Sequence, residues 1–255
     1  PEEGLVIFNT YVDCIEFFTR DTWHNHCSST RQTPNLSSTD VFNPFTGRVW
    51  MDRNLGANKV ADDSLDVAAY GDLYQWGRLA DGHEKFFRVT GDAPTSSNYD
   101  ADTNGFPNSA LFDSGGWDGK FITSNNENDW LQPSNDLSWN IEDQERSGGG
   151  NNNPCPVGYR VPTAAEWDAE RNSWDVKGNA GAIQSPLKLP PASFRQADGS
   201  YFGNSSGNIG RYWSLTPTGN GPNSIAFRLV FRDGFDDVGN FGRKILGHSV
   251  RCIKF

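Results

Sequence analysis

From about Asp81 to Asn153 the chain is polar, glycine-rich and without hydrophobic periodicity, as in "TSSNYDADTNGFPNS" and "ERSGGGNNNP". A run of this length is uncommon inside a compact domain and is usually functional or disordered. Regular elements must therefore come mainly from the two flanks. The aromatics spaced through the run, Phe112, Trp117, Phe121, Trp130 and Trp139, are the groups able to pin it to a core. The whole chain follows the same pattern, with 9 Trp, 17 Phe and 27 Gly among 255 residues. Aromatics supply core volume in a loop-rich fold, and glycines permit the tight turns between elements.

On the N-terminal flank, "LVIFNTYVDCIEFF" has strand composition and "SSTRQTPNLSST" reads as loop. Residues 1–40 form an extension expected to pack on a domain of residues 41–255. In "VFNPFTGRVWMDRNLGA" the turn signal "NPFTG" separates two apolar runs, which predicts a hairpin. "DVAAYGDLYQWGR" predicts a helix, with Ala69, Leu73 and Trp76 on one face. On the C-terminal flank, Thr163 and Glu166 form a T-x-x-E capping box, and Trp167 and Trp174 share the face of the helix it starts. "SPLKLPPASFR" and "RYWSL" read as strands. The closing stretch "RLVFRDGFDDVGNFGRKILGHSVRCIKF" reads as strand, glycine-rich turn and strand. These elements predict an α+β architecture of two helices and short antiparallel strands with long loop insertions. Phe235 and Phe241 stand out in the closing stretch, because a solvated turn rarely needs bulky apolar side chains.

The net charge of −10 argues against a nucleic-acid partner, since phosphate binding needs a basic surface. No apolar run approaches the roughly 20 residues of a membrane-spanning helix. The chain begins at Pro1 and Met51 is its only methionine, which reads as a trimmed start. Four cysteines allow three pairings. Cys14 with Cys27 would close a local loop, and Cys155 with Cys252 would staple the middle of the chain to its last strand. Disulfides point to an oxidising, extracellular compartment, while reduced, buried cysteines are the alternative.

Six blocks, "GRVWMDRNLGA", "YGDLYQWGR", "CPVGYRVPTAAEW", "SPLKLP", "RYWSL" and "GHSVRCIKF", together resemble the bacterial major-paralogous-domain type of C-type lectin fold. The same framework occurs in variable proteins of diversity-generating retroelements. The resemblance covers roughly residues 40 to 255. It implies a non-enzymatic protein, displayed on a cell or virion surface, whose segment 211–252 is diversified to form a ligand-binding surface on a constant backbone. The implied binding positions are Arg211, Phe227, Arg228, Val230, Arg232, Phe235, Asp237, Asn240, Phe241, Leu246 and His248, expected as one exposed patch. Trp76, Trp167, Trp213, Leu229, Phe231, Val250 and Cys252 are expected in the core. No cofactor is implied, and the partner is an unidentified protein or surface ligand. A fixed lectin-like structural or adhesive domain is the main alternative. A formylglycine-generating type of enzyme is disfavoured, because Cys252 is the only cysteine in the C-terminal part.

Metal ligands are sparse. The EPN or QPD triplet and the WND motif of calcium-dependent sugar binding are missing. "DADTNG" places Asp100, Asp102 and Asn104 like the start of an EF-hand loop, but the position of the bidentate glutamate is Leu111. His24, His26 and Cys27, with Cys14 upstream, are tetrahedral zinc ligand types in a spacing that matches no standard finger.

Overall fold

A computed structural model describes residues 36–85, 119–123, 127–131, 134–139, 152–202, 209–219 and 224–255, with the backbone of three earlier strands. Those strands, β1 (Val6–Asn9), β2 (Cys14–Thr19) and β3 (Thr22–Cys27), make an antiparallel sheet of their own in which Cys14 is the register partner of Cys27. Their side chains lie outside the described residues, and with them the zinc candidates His24, His26 and Cys27. The calcium candidates Asp100, Asp102 and Asn104 lie outside as well.

The remaining chain is α+β. The predicted hairpin is β4 (Asp40–Asn43) with β5 (Arg48–Met51), closed through Gly47 at φ +67°. The predicted helix after it is replaced by a single 3-10 turn, Val67–Ala69, followed by the short strand β6 (Tyr74–Gln75). Gly71 breaks it: at φ +69° it sits where a Cβ would lie 2.3 Å from the Leu55 carbonyl oxygen. Ala69, Leu73 and Trp76 are nevertheless all buried, so the apolar positions reported burial rather than a helix.

After β7 (Tyr159–Arg160) comes α1 (Ala164–Asn172). Thr163 and Glu166 cap it reciprocally, and Arg160 grips both Glu166 oxygens at 2.7 Å. A second helix, α2 (Gly178–Gln184), stands before the stretch expected to be a strand. Of "SPLKLPPASFR" only β8 (Phe194–Arg195) is strand, and it turns through Asp198 and Gly199 into β9 (Tyr201–Phe202). The described residues thus hold two α-helices, one of them in a different place from the expectation.

Among the described residues the longest strands form the three-stranded sheet β10 (Ile209–Pro217), β11 (Ala226–Arg232) and β12 (Phe235–Gly242), in that order. The glycine-rich stretch expected as turn is mostly β12, and only Asp233 and Gly234 turn the chain. Phe235 and Phe241 are therefore strand residues. Then β13 (Gly247–His248) lies between β6 and β8, and β14 (Ile253–Lys254) lies between β5 and β7. The last strand is thus central in its sheet. Cys252, fully buried, is disulfide-bonded to Cys155.

Two clusters form most of the core. Trp50, Trp167, Tyr212, Leu229 and Phe231 fill one, between the helices and one face of β10–β12. Tyr74, Trp76, Trp139, Trp213, Val250 and Cys252 fill the other. Each fully buried apolar side chain contributes about 1.5–3 kcal/mol. The indoles are also tied to the backbone: Trp76, Trp167 and Trp213 donate to the carbonyls of Ser214, Trp213 and Tyr74. Phe121, Trp130 and Trp139 are buried, as the anchoring of the long segment requires. Phe112 and Trp117 lie outside the described residues.

Candidate functional site

The face of β10–β12 away from Trp167 collects Arg211, Arg228, Val230, Arg232, Phe235, Asp237 and Asn240, whereas Phe227 and Phe241 alternate to the opposite face. Along β11 side chains alternate, so Leu229 and Phe231 enter the core while Arg228, Val230 and Arg232 point the other way. In register, Arg211 pairs with Val230 and Trp213 with Arg228, which makes the two arginines diagonal neighbours across β10 and β11. The ladder between β11 and β12 slips beside Arg228, where Gly239 and Asn240 oppose it as a bulge. The bulge leaves Phe227 opposite Phe241, with ring centroids 4.8 Å apart in an edge-to-face pair.

Arg232, Phe235 and Phe241 are exposed, the two phenylalanines at 37% and 47%. Arg211, Phe227, Asp237, Asn240 and Leu246 are half-buried. Arg228, Val230 and His248 are buried, so the expectation of one uniformly exposed patch is corrected at these three positions. β11 is the central strand of its sheet, and neighbours on both sides shield Val230 and Arg228. His248 sits in the central strand β13, with Trp213 4.1 Å and Phe194 5.6 Å from its ring. Leu246 packs against the core clusters rather than standing free. Phe235 and Phe241 are six residues apart on one strand, roughly 20 Å. The exposed set therefore divides into a hairpin tip, where Arg232 lies over Phe235 at 5.3 Å, and Phe241 paired with Phe227 at the far end on the other face, while Arg211 and Arg228 form a separate, more buried basic end.

The basic end has a specific wiring. Arg228 donates through Nε and Nη2 to Asn240 Oδ1 at 3.2 and 2.7 Å, and its Nη1 lies 2.9 Å from His248 Nε2. His248 Nδ1 lies 3.1 Å from the Gly247 carbonyl oxygen. A guanidinium has only donors, so Nε2 accepts, Nδ1 carries the proton, and the imidazole is neutral. Burial, with Arg228 and Arg211 close by, drives His248 well below its ordinary range. Gly242 makes room for this arrangement, since a Cβ there would meet Trp213 at 2.7 Å and Arg228 Nη1 at 3.0 Å.

Arg211 stacks on Phe194, its Cζ 3.6 Å from the ring centroid, and Phe194 stacks on Phe202 at 4.7 Å. Phe202 is 45% exposed. Sequence reasoning missed both phenylalanines. The signal was present: Asp-Gly at 198–199 between two aromatic dipeptides marks a hairpin.

A second polar cluster, Asp81, His83 and Glu84, offers three ligand atoms within 4.8 Å of one another. His83 is already committed. Its Nε2 accepts the Gln75 N–H at 3.0 Å and its Nδ1 donates to Asp81 at 2.6 Å, while Arg78 binds the other Asp81 oxygen at 2.5 Å. Burial and the Arg78 charge push His83 down to about 3. Burial alone would raise Asp81, but its hydrogen bond to His83 and the nearby charges bring it to about 2. These bonds explain the cluster as a structural link between β6 and the following turn.

No family model, curated protein or solved structure matches the chain.

Proposed function

We propose that this is a non-enzymatic ligand-binding protein of C-type lectin type, and that its segment 211–252 is a diversifiable binding surface of the kind made by retroelements. The observation that carries this is the division of burial along β10–β12. Trp213, Leu229 and Phe231 are fully buried, as are Val250 and Cys252 after β13, while Arg232, Phe235 and Phe241 on β11 and β12 stand exposed. Two helices, short antiparallel strands and a long intervening segment accord with such a fold. Exposed sites tolerate substitution within about ±0.5 kcal/mol, whereas a buried Phe→Ala change costs about 3–5 kcal/mol. Diversification is compatible with folding only where that separation exists. Exposed phenylalanines suit a binding surface because they give large contact area for little entropy loss.

The direct test lies in neighbouring DNA. A reverse-transcriptase gene and a near-repeat of the coding segment, with mismatches at template adenines, are expected. Their absence from a complete genome would leave the fixed lectin-like adhesive domain as the better description. Independently, Phe235→Ala with Phe241→Ala should abolish ligand capture and leave the melting temperature unchanged.

A further inference from the structure

We propose that Arg211 and Arg228 form the receptor for an oxyanion on the ligand, a carboxylate or a phosphate. This rests on the binding-surface reading and names the chemistry that surface takes.

The chain carries ten more acidic than basic charges, yet among the described residues it sets no carboxylate against either arginine. Among the other buried cations, Arg195 and Arg251 give donors to backbone carbonyls and, for Arg251, to the Asn54 amide oxygen, and three more are neutralised. Lys244 meets Asp129 and Asp136, Arg78 meets Asp81, and Arg160 meets Glu166. Arg228 instead bonds a neutral amide oxygen and a neutral imidazole nitrogen. Arg211 makes no hydrogen bond to a described residue. Its Nε is buried without a partner, which leaves the terminal nitrogens as the part that meets solvent. Burial pushes Arg211 down to about 10, and burial with the neighbouring Arg211 charge pushes Arg228 to about 9. A guanidinium keeps its proton in proteins, so two such groups side by side leave an unmet demand for negative charge.

The surroundings hold the forks ready. Asn240 and His248 fix the plane of Arg228, and Phe194 fixes that of Arg211 by stacking. A planar, pre-oriented guanidinium matches the two oxygens of a carboxylate or phosphate. Exposed Phe202, stacked on the same Phe194, is placed to receive an apolar portion of the same ligand.

The test uses the full chain and four probes: phenylacetate, phenyl phosphate, neutral phenylacetamide and chloride at matched ionic strength. Melting temperature and titration calorimetry are read for wild type, Arg211→Leu and Arg211→Lys. A rise in melting temperature with phenylacetate or phenyl phosphate, and none with phenylacetamide or chloride, is expected for wild type. Which anion binds more tightly assigns the source as carboxylate or phosphate. Arg211→Lys should bind about 10- to 100-fold more weakly, from the loss of charge-assisted hydrogen bonds. Arg211→Leu should lose the anion effect and, in chloride, melt at or above the wild-type temperature, because an unpaired buried cation is gone. Absence of an anion-specific shift in wild type, or a shift that persists in Arg211→Leu, overturns the proposal. Neither result touches the Phe235 and Phe241 test, so the two proposals fail separately.

Discussion

Replacing Gly210 by alanine should unlock the sheet from its core. Gly210 in β10 is the register partner of Phe231 in β11, and the Phe231 ring lies across it. A Cβ at residue 210 would stand 2.1, 2.4 and 2.5 Å from Cζ, Cε2 and Cε1 of that ring. The ring has no free direction of retreat. It stacks on Tyr212 at 5.8 Å and meets Trp174 edge-on at 5.7 Å. Overpacking of this kind costs about 1–3 kcal/mol, and weakening the two aromatic contacts adds about 0.5–1.5 kcal/mol each. The expected loss is about 2–6 kcal/mol, comparable with the cost of removing the ring altogether. Against a total of about 5–15 kcal/mol, this is a large and measurable fraction. The assay is urea denaturation followed by tryptophan fluorescence, with Gly219→Ala as the control. A Cβ at Gly219 meets nothing within 4 Å and its φ is not positive, so that change should stay within about ±0.5 kcal/mol. Equal midpoints for the two variants would refute the packing of Phe231 described above.

Acid should weaken the fold well before the carboxylates titrate. His83 and His248 are buried and neutral, with folded values below the ordinary 6.5. Below about pH 6.5 the unfolded chain binds protons that the folded chain does not, so stability falls as pH falls, by roughly 1.4 kcal/mol per pH unit for each histidine. A urea midpoint that is flat from pH 6.5 to 5 would contradict this. Asp40 adds a second, lower window. Burial would raise it, but Lys254 and Tyr159 bring it to about 2, so its contribution is complete above about pH 4 and fades toward pH 2. Replacing Cys155 and Cys252 together by alanine should lower stability by about 2–4 kcal/mol, because the bond closes a loop with a sequence separation of 97. A midpoint unchanged from wild type would show that this cross-link contributes nothing.

Local chemistry made some elements readable. The capping box at Thr163 and Glu166 and the turn at 44–47 need only a few adjacent residues to specify them, and both are present. The Cys155–Cys252 bond belongs to one of the three pairings that four cysteines allow. Tertiary context decided the rest. Apolar spacing at Ala69, Leu73 and Trp76 reflected three buried positions on an irregular chain, where a close approach at Gly71 forbids a helix. The Asp- and Gly-rich composition of β12 resembles a turn, but Gly242 serves packing beneath Trp213. At the site, alternation placed Arg228 and Val230 on the correct face and still missed their burial. A strand's own sequence does not reveal that it is the middle one of three. The pairing of Arg211 with Phe194 joins hairpins that only the folded chain brings together.

The central claim is that the outward positions of β11 and β12 vary without cost to their framework. The measurement is a surface-display library with Arg232, Phe235, Asp237 and Phe241 randomised together, scored by protease resistance. A matched library randomises Trp213, Leu229, Phe231, Val238 and Val250, all buried. Most members of the first library should resist protease like wild type, and almost none of the second. Comparable loss of resistance in both libraries would contradict the separation of surface from framework.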